Sequence, residues 1–226
     1  LADRDFSFEA SAYLSLSIRE LYERFAAKFV LLVRAPERVV NSFHHKGWYA
    51  APAVRGDANL APGYQECESF HHVLARPMPS GEAFTRWQAL TRVGKLAWYW
   101  NEMNARILEQ LDALPETHWR IEKIESLDYD RYQEMAAFLG YPVNAGRADF
   151  EALRQRRPNA FSGVPTPADW SEQEAREFEA CVAPMAQRLG YEYRAASLPV
   201  PTQIIPEPQE KQPGMLGWLR GARVRR

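Results

Sequence analysis

The order of apolar and polar positions divides the chain into a run of alternating strands and helices followed by a tail. Leu14, Ile18, Leu21, Tyr22 and Phe25 recur at intervals of three and four, the spacing of one buried helical face. Residues 5–9 before them, Asp-Phe-Ser-Phe-Glu, alternate as a short strand does. Phe29 to Val33 is an unbroken apolar run that ends at Arg34. Pro36 and Glu37 then suit a first helical turn, where a missing N–H is harmless and a negative charge meets the positive end of the helix dipole. An uninterrupted apolar strand feeding a helix points to a parallel sheet covered on both faces.

The longest helical pattern covers 83–111, with Leu90, Val93, Ala97, Trp100, Ile107 and Leu111 on one stripe and Asn104 its polar interruption, read as a satisfied core amide. Another short strand is expected from about His118 to Ile124. It leads through Glu125-Ser126-Leu127 to a helix over 130–139 that Gly140 and Pro142 stop. Residues 51–80, rich in Pro, Gly, Asn and His, and residues 144–168, which carry Arg154, Arg156 and Arg157, read as long irregular segments. Ser171 and Glu174 have capping-box spacing before a helix burying Phe178, Val182, Met185 and Leu189, and Pro184 is expected to kink or split it.

The alternation predicts an α/β fold, a parallel sheet flanked by helices whose working edge is the carboxyl end of its strands. The 226 residues accommodate one large domain, assigned to 1–195. Five of the sixteen prolines lie between Pro199 and Pro213, and the end from Trp218 is basic, so 196–226 is expected to be a disordered tail. A hydrophobic share of 46% and a charged share of 25% are ordinary for a globular chain and exclude a collagenous or largely disordered one. With 28 basic against 29 acidic residues the chain carries no broad footprint for nucleic acid, so any anion must be met locally. Cys67 and Cys181 stand alone, without the clustering of a zinc site or a disulfide framework; sparse cysteine use favours the cytoplasm. No run approaches the roughly 20 apolar residues of a membrane span.

One segment pairs these elements with chemistry. In KFVLLVRAPERVVNSFHHKGWY, Lys28 to Tyr49, an arginine closes the apolar strand and Ser42 follows eight residues later in the next helix. A guanidinium offers paired donors matched to phosphate oxygens, a hydroxyl offers another, and the strand-to-helix turn adds N–H groups and a favourable dipole. A terminal phosphate suits that set. Structural roles compete with it: Arg34 as a strand-end cation, Ser42 as an ordinary helical serine, and His44 and His45 as packing or solvated residues.

Here the sequence resembles the sulfotransferases, whose second cofactor motif is an arginine, a proline two residues on and a serine eight residues on; Arg34, Pro36 and Ser42 match all three. Similar in order are WYWNEMNARIL at 98–108, IESL at 124–127, FLGYP at 138–142 and DWSEQE…LGY at 169–191. The resemblance implies a P-loop-like α/β fold and 3′-phosphoadenosine 5′-phosphosulfate as co-substrate, without metal. It places Arg34 and Ser42, with Arg157 from the basic loop, around the donor's 3′-phosphate. The implied reaction moves a sulfuryl group to a hydroxyl or amine of a small-molecule or glycan acceptor while a base takes the acceptor's proton. Glu9 is the titratable residue nearest the family's base position. The chain departs from the family in having no Gly-x-x-x-x-Gly-Lys-Ser/Thr loop. The expectation is that the first strand and donor loop precede residue 1, so that the piece alone is inactive. A non-catalytic binding or scaffold domain of the same fold is the alternative, and a magnesium-dependent phosphotransferase, lacking an acidic Walker-type strand here, a more distant one.

Overall fold

The computed structural model of the chain describes residues 7–10, 14–50, 78–79, 81–143, 145–156 and 166–193. Its architecture is mixed and mostly helical. In order run α1 (Ile18–Phe25), β1 (Phe29–Val33), α2 (Pro36–His45), α3 (Gly81–Ala89), α4 (Arg92–Asp112), β2 (Trp119–Lys123), α5 (Tyr129–Leu139), α6 (Arg147–Gln155) and α7 (Glu172–Arg188). The two strands pair in parallel, Phe29 opposite Trp119 and Val33 opposite Lys123, so both chains leave the sheet at the same edge. The sheet expected from the sequence is therefore present as this one pair among the described residues. Its apolar strand is less enclosed than the unbroken run implies: Val33 is buried, but Leu32 is 49% exposed.

The core belongs to α4. Its stripe of Val93, Ala97, Trp100, Ile107 and Leu111, joined by Leu96, Trp98 and Leu108, is buried, and α7, α2 and α1 pack around it, α7 most extensively. From α7 come Phe178, Cys181, Val182, Met185 and Ala186; from α2 come Val40 and, at its edge, Val39 and Phe43. The ends of α1 and α4 are stitched by polar contacts: Gln110 accepts from the Ile18 N–H at 3.1 Å and donates to the Ser15 carbonyl at 3.3 Å. Gln110 thus satisfies a first-turn donor that Ser17, at the cap, leaves open.

Several expectations change. The long helical pattern over 83–111 is two helices, because Thr91 caps α4 by accepting from the Gly94 N–H at 3.1 Å and so starts a new helix there. Within the segment read as irregular over 144–168, residues 147–155 form α6, held on α5 by the Phe150 ring, 5.3 Å from Tyr132 and 5.8 Å from Tyr129. Residues 7–10 are not a strand. Pro184 does not split α7, which runs unbroken through it; the proline leaves the Ala180 carbonyl without its i+4 donor. The expected helix after Ile124–Ser126 ends as read, with Gly140 left-handed at φ 73°. Residues 51–77, Ser80, Cys67, Arg157 and the tail 196–226 lie outside the described residues.

Candidate functional site

The shared exit edge of β1 and β2 is where a parallel sheet places chemistry, because the turns leaving it point N–H groups and side chains into one crevice. Arg34 is the first residue past β1, exposed, and its guanidinium has no hydrogen bond or ion pair among the described residues. Ala35 caps α2 with Pro36 at the first helical position, a start that needs no N–H from the proline. Ser42 lies two turns along α2, half-buried, on the flank that also carries Arg38, and its hydroxyl likewise has no partner among the described residues.

What holds this turn comes from far along the chain. The Arg34 carbonyl accepts from the indole Nε1 of buried Trp100 on α4 at 3.1 Å, and the Ala35 N–H donates to Oε1 of Glu125 at 2.8 Å. Glu125 sits in the 3-10 turn Ile124–Ser126 directly after β2. Its second oxygen accepts from the Tyr191 hydroxyl at 3.0 Å, and the Tyr191 ring stands edge-on to Trp100, centroids 6.2 Å apart at 72°. Lys123 donates to the Gly190 carbonyl and lies 4.7 Å over the Tyr191 ring, which ties the end of β2 to the chain leaving α7. Next to these, Tyr193 donates to Glu37 of α2.

The electrostatics follow from those bonds. Burial pushes the Glu125 carboxyl up, but the Ala35 N–H, its own N–H, the Tyr191 hydroxyl and nearby Arg38 outweigh that and hold it below the usual carboxylate range. Since its folded value is depressed, its contribution to stability is complete above the ordinary carboxylate range and disappears as pH falls through the folded value. Burial, the hydrogen bond to Glu125 and the charge of Glu125 and Glu37 raise the Tyr191 phenol, which stays protonated as a donor. Burial, the bond to Glu37 and the same carboxylates do so for Tyr193.

The contacts of the stretch carrying Glu9 and of Asn104 lie elsewhere. Glu9 is exposed in an irregular stretch whose Phe8 ring lies 6.2 Å from Tyr141. Tyr141 follows α5, whose Phe138 carbonyl accepts from Lys28 at 2.8 Å, just ahead of β1. These contacts run from Phe8 through Tyr141 and the end of α5 to Lys28, ahead of β1 rather than past it. Arg157 is outside the described residues; of its neighbours, Arg154 is exposed on α6 and paired with Glu151 at 3.0 Å. Asn104 spends its amide on the Trp100 carbonyl one turn back, at 2.8 Å.

His44 is packed rather than poised: Arg92 donates to its carbonyl and to the Trp48 carbonyl, and lies 3.5 Å from its Nε2. Burial first, then Arg92, hold its imidazole below the usual value, with Glu174 pulling the other way. Cys181 is buried and its thiol pushed up to about 12, chiefly by burial, so it is an inert core residue. Among the described residues no group of three or more His, Cys, Asp or Glu side chains could hold a metal ion, and no helix is long and apolar enough to cross a membrane.

Residue reading singled out Arg34 and Ser42 but not Trp100, Glu125 or Tyr191 as members of the site. Their signal was present in the resembling stretches at 98–108, 124–127 and 189–191, each of which contributes one of the three. Compared with family models, curated proteins and solved structures, the chain finds no match in any of the three.

Proposed function

We propose that the chain is a sulfotransferase-type domain, its β1–β2 pair part of a P-loop-like sheet, in which Arg34 and Ser42 hold the 3′-phosphate of 3′-phosphoadenosine 5′-phosphosulfate. The observation that carries this reading is a convergence. Three stretches that resemble the family in sequence, distant from one another along the chain, meet at the Arg34–Ala35 peptide, namely the arginine motif itself, the long helix through Trp100 and the strand-end turn through Glu125, and a fourth, the segment after α7, joins them through the bond of Tyr191 to Glu125. At that point an exposed guanidinium without a partner among the described residues stands beside a strand-to-helix turn, the arrangement that suits a phosphate monoester.

In the reaction, the acceptor oxygen or nitrogen attacks sulfur in line, its bond to sulfur forms as the bridging S–O bond of the donor breaks, the acceptor's proton goes to a base, and adenosine 3′,5′-bisphosphate leaves. The role of Arg34 and Ser42 is to bind the donor and fix its orientation, so that the reacting group is presented in one place.

Calorimetric titration with adenosine 3′,5′-bisphosphate tests the reading. The wild-type chain binds, Arg34→Ala weakens binding by about 2 kcal/mol through loss of a charge-assisted pair, and Ser42→Ala by about 1 kcal/mol. Equal affinity in wild type and Arg34→Ala overturns it. The Phe8–Tyr141 and Lys28–Phe138 contacts, which draw the stretch carrying Glu9 toward the chain ahead of β1, favour a second reading, a binding domain of the same fold without transfer activity. In that case the bisphosphate binds and depends on Arg34, but labelled sulfate never moves from the donor to hydroxyl or amine acceptors even in a protein extended upstream to include a donor loop, where the first reading expects transfer.

A further inference from the structure

The Arg34–Ala35 peptide unit is held at both of its polar atoms by side chains from two other elements. Trp100, 3% exposed on α4, donates to its carbonyl, and Glu125, at the exit of β2, accepts from its N–H. These two holders are themselves linked, because Tyr191 donates to the free oxygen of Glu125 and sets its ring edge-on to Trp100. The result is a closed circuit through residues 34–35, 125, 191 and 100. Fixing one peptide plane fixes ψ of Arg34 and φ of Ala35, and with them the direction in which the Arg34 Cα–Cβ bond leaves the strand.

Part of this circuit serves the start of α2. Ala35 caps α2 through its carbonyl, which accepts from Arg38 at 3.1 Å and Val39 at 3.2 Å; its own N–H is a donor that a capping box satisfies from the third helical position, which here is Arg38 and cannot accept. Glu125, from the exit of β2, supplies that acceptor instead, so one bond closes the start of α2 and holds the Arg34–Ala35 turn to the sheet edge. Glu125 is also solvent-facing, where an arbitrary carboxylate would remain hydrated; here both of its oxygens are committed. The geometry points to Glu125, supported by Tyr191 and Trp100, as the positioning residue that aims the Arg34 guanidinium at a ribose 3′-phosphate dianion. This rests on the proposed function for the identity of the ligand, while the aiming of Arg34 stands on the circuit alone. With the Cα–Cβ direction set by the backbone, the side chain has only its own torsions left to order on meeting the anion, and the benefit appears as affinity.

The test uses the full chain and two readouts, one of which needs no ligand. Nitrogen-15 relaxation of the Arg34 Nε–H group and hydrogen exchange of the Ala35 amide are measured in wild type, Glu125→Gln and Glu125→Ala. The Gln variant keeps an acceptor and is expected to preserve both signals; the Ala variant loses protection at Ala35 and frees the Arg34 Nε–H. In parallel, adenosine 3′,5′-bisphosphate binds on the order of tenfold more weakly to Glu125→Ala, and adding that change to Arg34→Ala causes no further loss, since Glu125 acts through Arg34.

Unchanged Arg34 order in a folded Glu125→Ala chain that has lost Ala35 protection overturns the inference, as does a full additional loss in the double variant. Absence of bisphosphate binding in wild type overturns the proposed function instead, and the relaxation data then decide the positioning role by themselves.

Discussion

Single residues in the α4–α7 seam show how little room the core leaves. A methyl group placed on Gly94 would lie 2.4 Å from Oε2 and 3.1 Å from Cβ of Glu177, and 3.2 Å from Cβ of Leu90. Glu177 cannot withdraw easily, since the same oxygen accepts from both the N–H and the hydroxyl of Thr91 and its partner oxygen accepts from Gln173 at 2.9 Å. Gly94→Ala is expected to destabilise the fold by about 2 kcal/mol, read as a lower urea midpoint at unchanged slope. A second residue-scale outcome concerns His44. Its folded value is depressed, so it is neutral in the native state, and the stability it supplies is intact above the ordinary imidazole value and declines as pH falls through the folded one. Melting temperatures recorded between about pH 7.5 and pH 5 should therefore fall in wild type, and fall less in His44→Gln, which keeps an acceptor for Arg92 but cannot gain a proton.

At the scale of elements, local chemistry decides what the sequence discloses. The start of α7 is readable because its signal is complete within four residues: Ser171 accepts from the Glu174 N–H at 3.3 Å, and Glu174 accepts from the Ser171 N–H at 2.9 Å. Ser171→Ala should cost about 1 kcal/mol, visible as a lower urea midpoint. The end of α5 at Gly140 is readable for the same reason. What escaped reading depended on partners remote in sequence. Helix α6 has a sparse apolar face, and its Phe150 becomes meaningful only against Tyr129 and Tyr132. The break between α3 and α4 hides inside one continuous apolar stripe, and only the Thr91 cap, reinforced by Glu177 from α7, reveals it. Residues 5–9 alternate as a strand would, yet 7–10 have no neighbour to pair with among the described residues, and alternation alone does not make a ladder.

For the whole molecule the same division runs through the candidate site. Arg34 and Ser42 were visible because eight residues separate them within one strand-turn-helix unit. The circuit that steadies Arg34 spans residues 34 to 191 and could not be read from spacing; it exists because β1 and β2 are parallel and deliver Ala35 and Glu125 to one edge. That parallel pairing has a cost during synthesis. Phe29 must wait for Trp119, about ninety positions downstream, before its first ladder partner exists, which at about 5–20 residues per second is roughly 5–20 s of translation. Throughout that interval the nascent strand from Phe29 to Val33, five apolar side chains with Lys28 and Arg34 at its ends, lacks the one strand it pairs with among the described residues. A charge at each end of an unpaired apolar strand opposes its pairing with another chain, and Lys28 and Arg34 stand in those two positions.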